Sequence, residues 1–554
     1  MAGRQVLRRI GDPVVAAPPT GVRIRTRIHV TEAEARALKA IGAFLGSLYR
    51  GELAGRIRCG DLDREGHRVW RAERKRALTA VASSRWAGAV TRAVDDQYRL
   101  GMRGLVAHMA DLRAAIEVLE ARCVLRPGER ISADTQATGG RRRSPCRGYR
   151  DAVERFAKTR RLAVLHARLA AAQRASVAGH PSMVVGGKRL WRSRNHLEAA
   201  EMTEAQWWER WHAARMFLTA DGESGKAGGN ETIRVDGSGR SRIKIPAALI
   251  DQLGTHLVVS ESVRFSHRGE EWAERVAARR AVRYDITYHP DKDRWYLHAS
   301  WTTAPESAAS LEELQAGRVL GVDLNADHLA CCVLDASGNP VGEPTSIEVL
   351  TGGLPASRRD GRVRAAITAL LHHAEHTGCA AIVVENLDFA DARATGRETL
   401  GHGQRGKRLR CSVAGIPTAR FRNRLTAMAT RRGIAVIGVD AAYTSRWGIQ
   451  HWRKPLQQQT SEPVTRHHAA AAAIGRRGLG LAIRRRPAGP RNRQRTVACT
   501  PPARPTRHPS HGGRHGSSGP PTPTRWVPVL RTIPARRGQH RSGRDQVGLT
   551  PTHS

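Results

Sequence analysis

The chain has 554 residues, with 92 Lys and Arg against 50 Asp and Glu, and a formal net charge of +42 at pH 7. That is far more charge than solubility requires; it argues against an enzyme for small neutral substrates and for a polyanion partner, because each phosphate neutralised releases counterions. The segment from Pro487 to Ser554 holds 12 arginines and one acid, so removing its net +11 leaves +31 on the rest, and the body is itself basic.

That segment also holds 12 of the 27 prolines and has no apolar period. It cannot bury enough surface to offset its chain entropy and reads as a disordered tail over 487–554. No apolar run approaches the roughly 18 residues of a membrane span, and none follows the opening MAGRQVLRR. A cytoplasmic, nucleoid-associated protein with no membrane partner is the expectation. The eight cysteines include no CxxC pair, which argues against a zinc ribbon or a disulfide framework.

In chain order, VRIRTRIHV (22–30) alternates with period two. Val22, Ile24, Ile28 and Val30 fall on one face of a strand, and Arg23, Arg25, Arg27 and His29 on the other. Three arginines with no acid between them suit a phosphate-tracking surface. TEAEARALKAIGAFLGSLYRG then opens on a Thr31/Glu34 capping box, and helical pattern runs on to about 175, broken by the basic loop TGGRRRSPCRG. Short alternating runs follow in SMVVGGKRLWRSR, ETIRVDGSGRSRIKIP and VRYDITYHPDKDRWYLHASWTT, with turn residues such as Asp236-Gly237 and Pro290-Asp291, and read as hairpins of a small β domain. Trp207, Trp208 and Trp211 sit at helical spacing and suit core packing better than base stacking.

From Arg318 the pattern sharpens. RVLGVDLN, HLACCVLD and TSIEVLT read as three strands, followed by a helix with Val363, Ile367, Leu370, Leu371 and Ala374 on one stripe. The buried strand AAIVVEN comes next, then a Gly- and Arg-rich loop from Asp388 to Gly415. The helix TARFRNRLTAMATRRG, the strand IAVIGVD and the helix HHAAAAAIGRRGLG complete the run. The order β-β-β-α-β-α-β-α, a meander feeding into parallel crossovers, is the plan of a ribonuclease H-like α/β fold.

On this plan Asp323 lies on the first strand and Glu385 at the C-terminal end of the neighbouring fourth, the crevice end where ligands collect. Two converging carboxylates with a third ligand hold a pair of hard divalent cations about 3.5–4 Å apart, suited to hydrolysing a phosphodiester.

GVDLN (321–325), IVVENLDF (382–389) and GIPTARFRNRLTAMATRRGIAVIGVDAAYTSRWG (415–448) resemble the RuvC-I, RuvC-II and pre-RuvC-III segments of the TnpB family. These are insertion-sequence-encoded relatives of type V CRISPR effector nucleases, often labelled transposases. The clear match covers about 318–486, and the N-terminal part matches only in plan. The resemblance implies a wedge strand (1–30), a helical recognition region (31–175), a wedge β-barrel domain (176–316) and a RuvC-like nuclease domain (317–486). It implies an RNA-guided DNA endonuclease of a mobile element, with a guide RNA and a DNA target as partners, Mg²⁺ or Mn²⁺ as cofactor, and Asp323 and Glu385 as metal ligands.

Two departures qualify it. Where the family continues into a four-cysteine zinc ribbon, residues 441–463 carry no cysteine, and no zinc is expected. Where the family places its third carboxylate, the chain reads TRHHAAAAAIG. Of the two histidines only one can face the site, because adjacent helical residues point roughly 100° apart. Alignment with the family pattern selects His468 as the third ligand over His467. Those departures keep open an RNA-guided DNA-binding protein that no longer cuts; a transposase that joins DNA ends is permitted by the fold alone.

Overall fold

The structure is a computed structural model that describes residues 10–131, 146–304, 309–350, 354, 356–386 and 418–483. The tail from 487, the loop from Asp388 to Gly415 and most of TGGRRRSPCRG lie outside the described residues. The chain is a mixed α/β protein. Strands β1 (Val14–Val15) and β2 (Gly21–Ile28) lead into α1 (Glu32–Arg58), α2 (Arg64–Val81) and α3 (Ser84–Val124). The expected capping box closes α1: Thr31 N donates to Glu34 Oε2 at 2.8 Å and Glu34 N to Thr31 Oγ1 at 3.3 Å. The other carboxylate oxygen of Glu34 accepts from Ser260 N at 2.8 Å, tying the helix start to the β domain. The hairpin β3 (Arg130–Ile131) and β4 (Cys146–Arg147) precedes α4 (Ala152–Val177), which packs Leu165 and Ala172 on the distal half of α3 at Met109, Leu112, Ile116 and Leu119.

Next come α5 (Lys188–Ser193), α6 (Glu204–Ala213), β5 (Thr219–Ala220), β6 (Ile233–Val235), β7 (Ser241–Lys244), α7 (Ile250–Leu253), β8 (His256–Val259), α8 (Gly269–Ala277), β9 (Arg283–His289) and β10 (Arg294–Thr302). The β-barrel implied by the resemblance is not shown by these strands. They fall into two open sheets among the described residues, one ordered β2-β10-β9-β5 and one β6-β7-β8.

After α9 (Leu311–Gln315) the strands β11 (Val319–Leu324), β12 (His328–Leu334) and β13 (Thr345–Glu348) form the expected meander. Then follow α10 (Ala356–His376), β14 (Ala381–Glu385), α11 (Thr418–Thr430), β15 (Ala435–Val439), α12 (Thr444–Gln457) and α13 (Arg466–Gly478). The sheet order is β1-β15-β14-β11-β12-β13, with β11, β14 and β15 parallel and β12 antiparallel to β11. The sequence did not signal β1, which caps the edge antiparallel to β15 through Val14↔Gly438 and Val15↔Ile437.

Period-two alternation divides the sheet between two cores. Leu320, Val322, Ile382, Val384 and Val436 pack on the expected stripe of α10 and on Phe421, Leu425 and Ala429 of α11. Val319, Ala381, Val383, Ile437 and Val439 pack on α12 and on the alanines of α13. The five consecutive alanines Ala469–Ala473 are all buried, and their small size lets α13 lie almost on the sheet backbone. A Cβ on Gly321 would stand 2.1 Å from the Ala471 carbonyl oxygen and 2.8 Å from Gly475 N, both backbone atoms that no rotamer change can move. Gly321→Ala is therefore expected to cost about 1–3 kcal/mol through overpacking, read as a lower urea midpoint; an unchanged midpoint would mean that α13 can lift without penalty.

Candidate active site

The alternation that builds the cores also aims the two carboxylates. On β11 the residues facing α13 are Val319, Gly321 and Asp323, and on β14 they are Ala381, Val383 and Glu385. The parallel register Val322↔Val384 places Asp323 and Glu385 side by side, one residue beyond the last paired position, at the C-terminal ends of both strands. Asp323 is buried at 7% exposure. Its Oδ2 accepts from His467 Nδ1 at 2.7 Å and from Asn325 Nδ2 at 3.2 Å. Arg466 Nε donates to His467 Nε2 at 3.1 Å, which leaves the ring proton on Nδ1, facing the carboxylate. His328 stands edge-on to His467, with ring centroids 5.1 Å apart, and its Nδ1 lies 2.7 Å from Asp327 Oδ1.

Glu385 is held from another direction. The Thr444 hydroxyl donates to its Oε1, and Thr444 is itself 1% exposed at the first turn of α12. The residue before it, Tyr443, adopts a left-handed backbone with φ of 64°, a conformation that a non-glycine residue holds only when its surroundings enforce it. The enforcing contacts are visible. The buried guanidinium of Arg477 donates to the carbonyl oxygens of Asp440 and, at 2.8 Å, of Ala442, while Asp440 Oδ1 accepts from Ala442 N at 2.9 Å. Burial pushes the Glu385 carboxyl up to about 7, and the negative charges of Asp323 and Asp440 push the same way; the Thr444 hydroxyl and Arg477 oppose them. Asp440 Oδ2 accepts from Gly11 N at 3.0 Å.

Of the two histidines at the start of α13, His467 is the one that reaches Asp323, and His468, the expected third ligand, is engaged elsewhere. His468 is the third residue of the helix and closes a capping box: its Nδ1 accepts from Thr465 N at 3.3 Å and its backbone N donates to Thr465 Oγ1 at 3.3 Å. Its Nε2 stands 2.8 Å from Ser346 Oγ on β13. Both ring nitrogens are thus engaged away from Asp323. Burial, then the neighbouring His328 and His467, hold its pKa below the ordinary histidine value. The sequence held the deciding signal, because 467, 471, 475 and 478 share one face of a helix and the last three are the small residues that touch β11 and β14. Thr444, Asn325 and Arg477 were missed altogether; a threonine, an amide and an arginine carry no pattern that separates them from ordinary surface residues.

The arginine face of β2 is less open than its sequence suggested. Arg23 Nη2 pairs with Asp285 Oδ2 at 3.2 Å on the second strand over, and the Arg25 guanidinium lies 4.7 Å from the centre of the Tyr296 ring; Arg27 is exposed. Trp207 and Trp211 are buried and stacked at 5.3 Å, as core packing requires, whereas Trp208 is exposed.

Among the described residues no three His, Cys, Asp or Glu side chains stand in metal-ligating geometry. What fits a divalent cation is the pair Asp323 and Glu385: hard oxygen donors with the same orientation on adjacent strands, and a negative cluster that a cation would relieve. No helix among the described residues is long and apolar enough to cross a membrane. A solved structure of RuvC from T. thermophilus in complex with a Holliday junction substrate is similar over 29% of this chain and 91% of that one, at 17% identity and a TM-score of 0.20. No family model and no curated protein matches the chain.

Proposed function

We propose that the protein is an RNA-guided, divalent-metal-dependent DNA endonuclease of a transposable element, with a ribonuclease H-like, RuvC-type centre. The observation that carries this reading is the placement of Asp323 and Glu385 on one face of adjacent parallel strands, at the crevice end, in a sheet ordered as a meander plus two crossovers. The motif resemblance around them and the +31 of the body supply the guide and the target strand as partners. Bound Mg²⁺ or Mn²⁺ would supply an activated water and offset charge on the leaving oxygen of a phosphodiester. The protein's own residues prepare the donors. Thr444 fixes the rotamer of Glu385, while His467 and Asn325 fix that of Asp323 through hydrogen bonds to Oδ2.

A second reading, an RNA-guided DNA-binding protein whose centre no longer cuts, is favoured by one observation: an imidazole occupies Asp323 Oδ2 where a third carboxylate would be expected. A transposase joining DNA ends has no feature here that favours it. The deciding experiment is to purify the protein at low salt from its host, sequence the copurifying RNA, and incubate the complex with matching DNA in Mg²⁺ or Mn²⁺. Guided cleavage is expected. Guided binding without cleavage in either metal would hand the case to the second reading, and a protein free of RNA would remove both.

A further inference from the structure

The expected phosphate-tracking face on β2 is partly neutralised by Asp285, but a different sheet carries an uncompensated one. In β6-β7-β8 the side chains alternate, with Ile233, Val235, Ile243 and Val259 turned into the core and Arg234, Arg242 and Val258 exposed on the other face. The antiparallel register sets Arg234 directly opposite Arg242, Arg242 opposite Val258, and Lys244 opposite His256. Like charges directly opposite on a sheet repel and normally weaken the pairing.

Among the described residues no ion pair joins Arg234, Arg242 or Lys244 to an acid. The one carboxylate of the same parity, Asp236, is consumed by its own turn, its Oδ1 accepting from Ser238 N at 3.0 Å, Ser238 Oγ at 2.6 Å and Arg240 N at 3.0 Å. His256 sits with Nδ1 3.0 Å from Arg242 Nη2, and burial, then the positive charges of Arg242 and Lys244, hold it below the ordinary histidine pKa. A neutral imidazole there accepts from Arg242 and steadies its guanidinium without cancelling its charge.

We propose that the outward face of this three-stranded sheet, through Arg234, Arg242 and Lys244, binds the phosphodiester backbone of a nucleic acid. Cations on adjacent strands, with long side chains and an exposed Val258 among them, present a broad cationic surface rather than a socket for one small anion. A backbone with a charge on every nucleotide can engage several such cations at once and relieve the repulsion between them. The inference shares with the proposed function the expectation of a nucleic-acid partner, but it needs neither the metal centre nor a guide.

The test uses the full chain and two probes of equal length, a mixed-sequence DNA duplex and a single-stranded RNA, with binding measured across a salt series. In the double variant Arg234→Thr/Arg242→Thr, which keeps β-branched residues on the strands, the slope of log K against log salt is expected to fall by about 1.8 on the duplex or about 1.4 on the single strand, two phosphate contacts' worth. The probe that shows the loss identifies the backbone bound. Arg234→Lys/Arg242→Lys should retain the slope, and Lys244→Gln, at the sheet margin, should lose about 0.9 or about 0.7 even if the threonine variant does not fold. Unchanged slopes on both probes in the threonine variant, or in Lys244→Gln where that variant is unfolded, would overturn the proposal and leave the face to an acidic protein or to solvent. A wild type that never cleaves guided DNA while these slope losses appear would count against the nuclease reading and leave this proposal standing.

Discussion

Asp323→Asn and Glu385→Gln are each expected to lower divalent-dependent cleavage of guided DNA by roughly a hundred- to a thousandfold, the order found when a group that stabilises transition-state charge is removed, with guided binding within about threefold of wild type. The separation follows from position. Both carboxylates sit at the crevice end of the sheet against α13, and neither lies on the basic face of β6-β7-β8 or on β2. Cleavage and equilibrium binding, measured on one preparation, check it; equal losses in both would mean that the carboxylates contact the nucleic acid or hold the fold. Glu385 adds a pH signature. Its carboxyl is pushed up to about 7 by burial and by Asp323 and Asp440, so between its ordinary value and about 7 the folded chain holds a proton that the unfolded chain releases. Without metal, stability should then fall as pH rises through that window. Glu385→Gln, which carries no proton to lose, should melt at a temperature that varies less. Parallel melting curves for the two proteins between about pH 5 and pH 8 would show that the Glu385 carboxyl is unperturbed.

The parts of this site legible in the sequence were those set by strand periodicity. Asp323 and Glu385 sit two residues from Gly321 and Val383, so alternation alone puts them on the face that α13 covers, and a run of buried strands fixes which ends lie together. The stripe Val363, Ile367, Leu370, Leu371 and Ala374 was equally plain, because 3.6-residue periodicity in apolar residues has one interpretation. Illegible were features that depend on long-range partners. Arg23 alternates like any exposed cation, and its neutralisation needs Asp285, 262 positions away in sequence and two strands across. Two-residue β1 has no periodicity to detect; it exists because the edge of β15 has hydrogen-bonding groups to satisfy. Closure into a barrel is equally illegible, because short strands and turns specify hairpins, not the closure of one hairpin on another.

The choice between His467 and His468 turns on helix geometry, and the assay should separate them. His467→Ala is expected to lower cleavage by about 10- to 100-fold, the effect of deleting a group that orients a metal-binding carboxylate, because Asp323 Oδ2 would keep only the 3.2 Å contact from Asn325. His467→Asp places a third carboxylate beside Asp323 and should raise cleavage in Mg²⁺ relative to His467→Ala, since Mg²⁺ favours oxygen over imidazole nitrogen. His468→Ala should behave differently. It loses the capping contact to Thr465 N and the contact to Ser346, costing roughly 1 kcal/mol in urea unfolding, while cleavage per folded molecule stays within about threefold. Measuring both variants for melting and for cleavage in Mg²⁺ and Mn²⁺ makes the outcomes distinct. Cleavage lost in His468→Ala and kept in His467→Ala would mean that the helix start rotates by about one residue when substrate binds, bringing His468 to the carboxylates. The contact of α13 with Gly321, with no room for even one methyl group, argues that it cannot rotate without separating from the sheet.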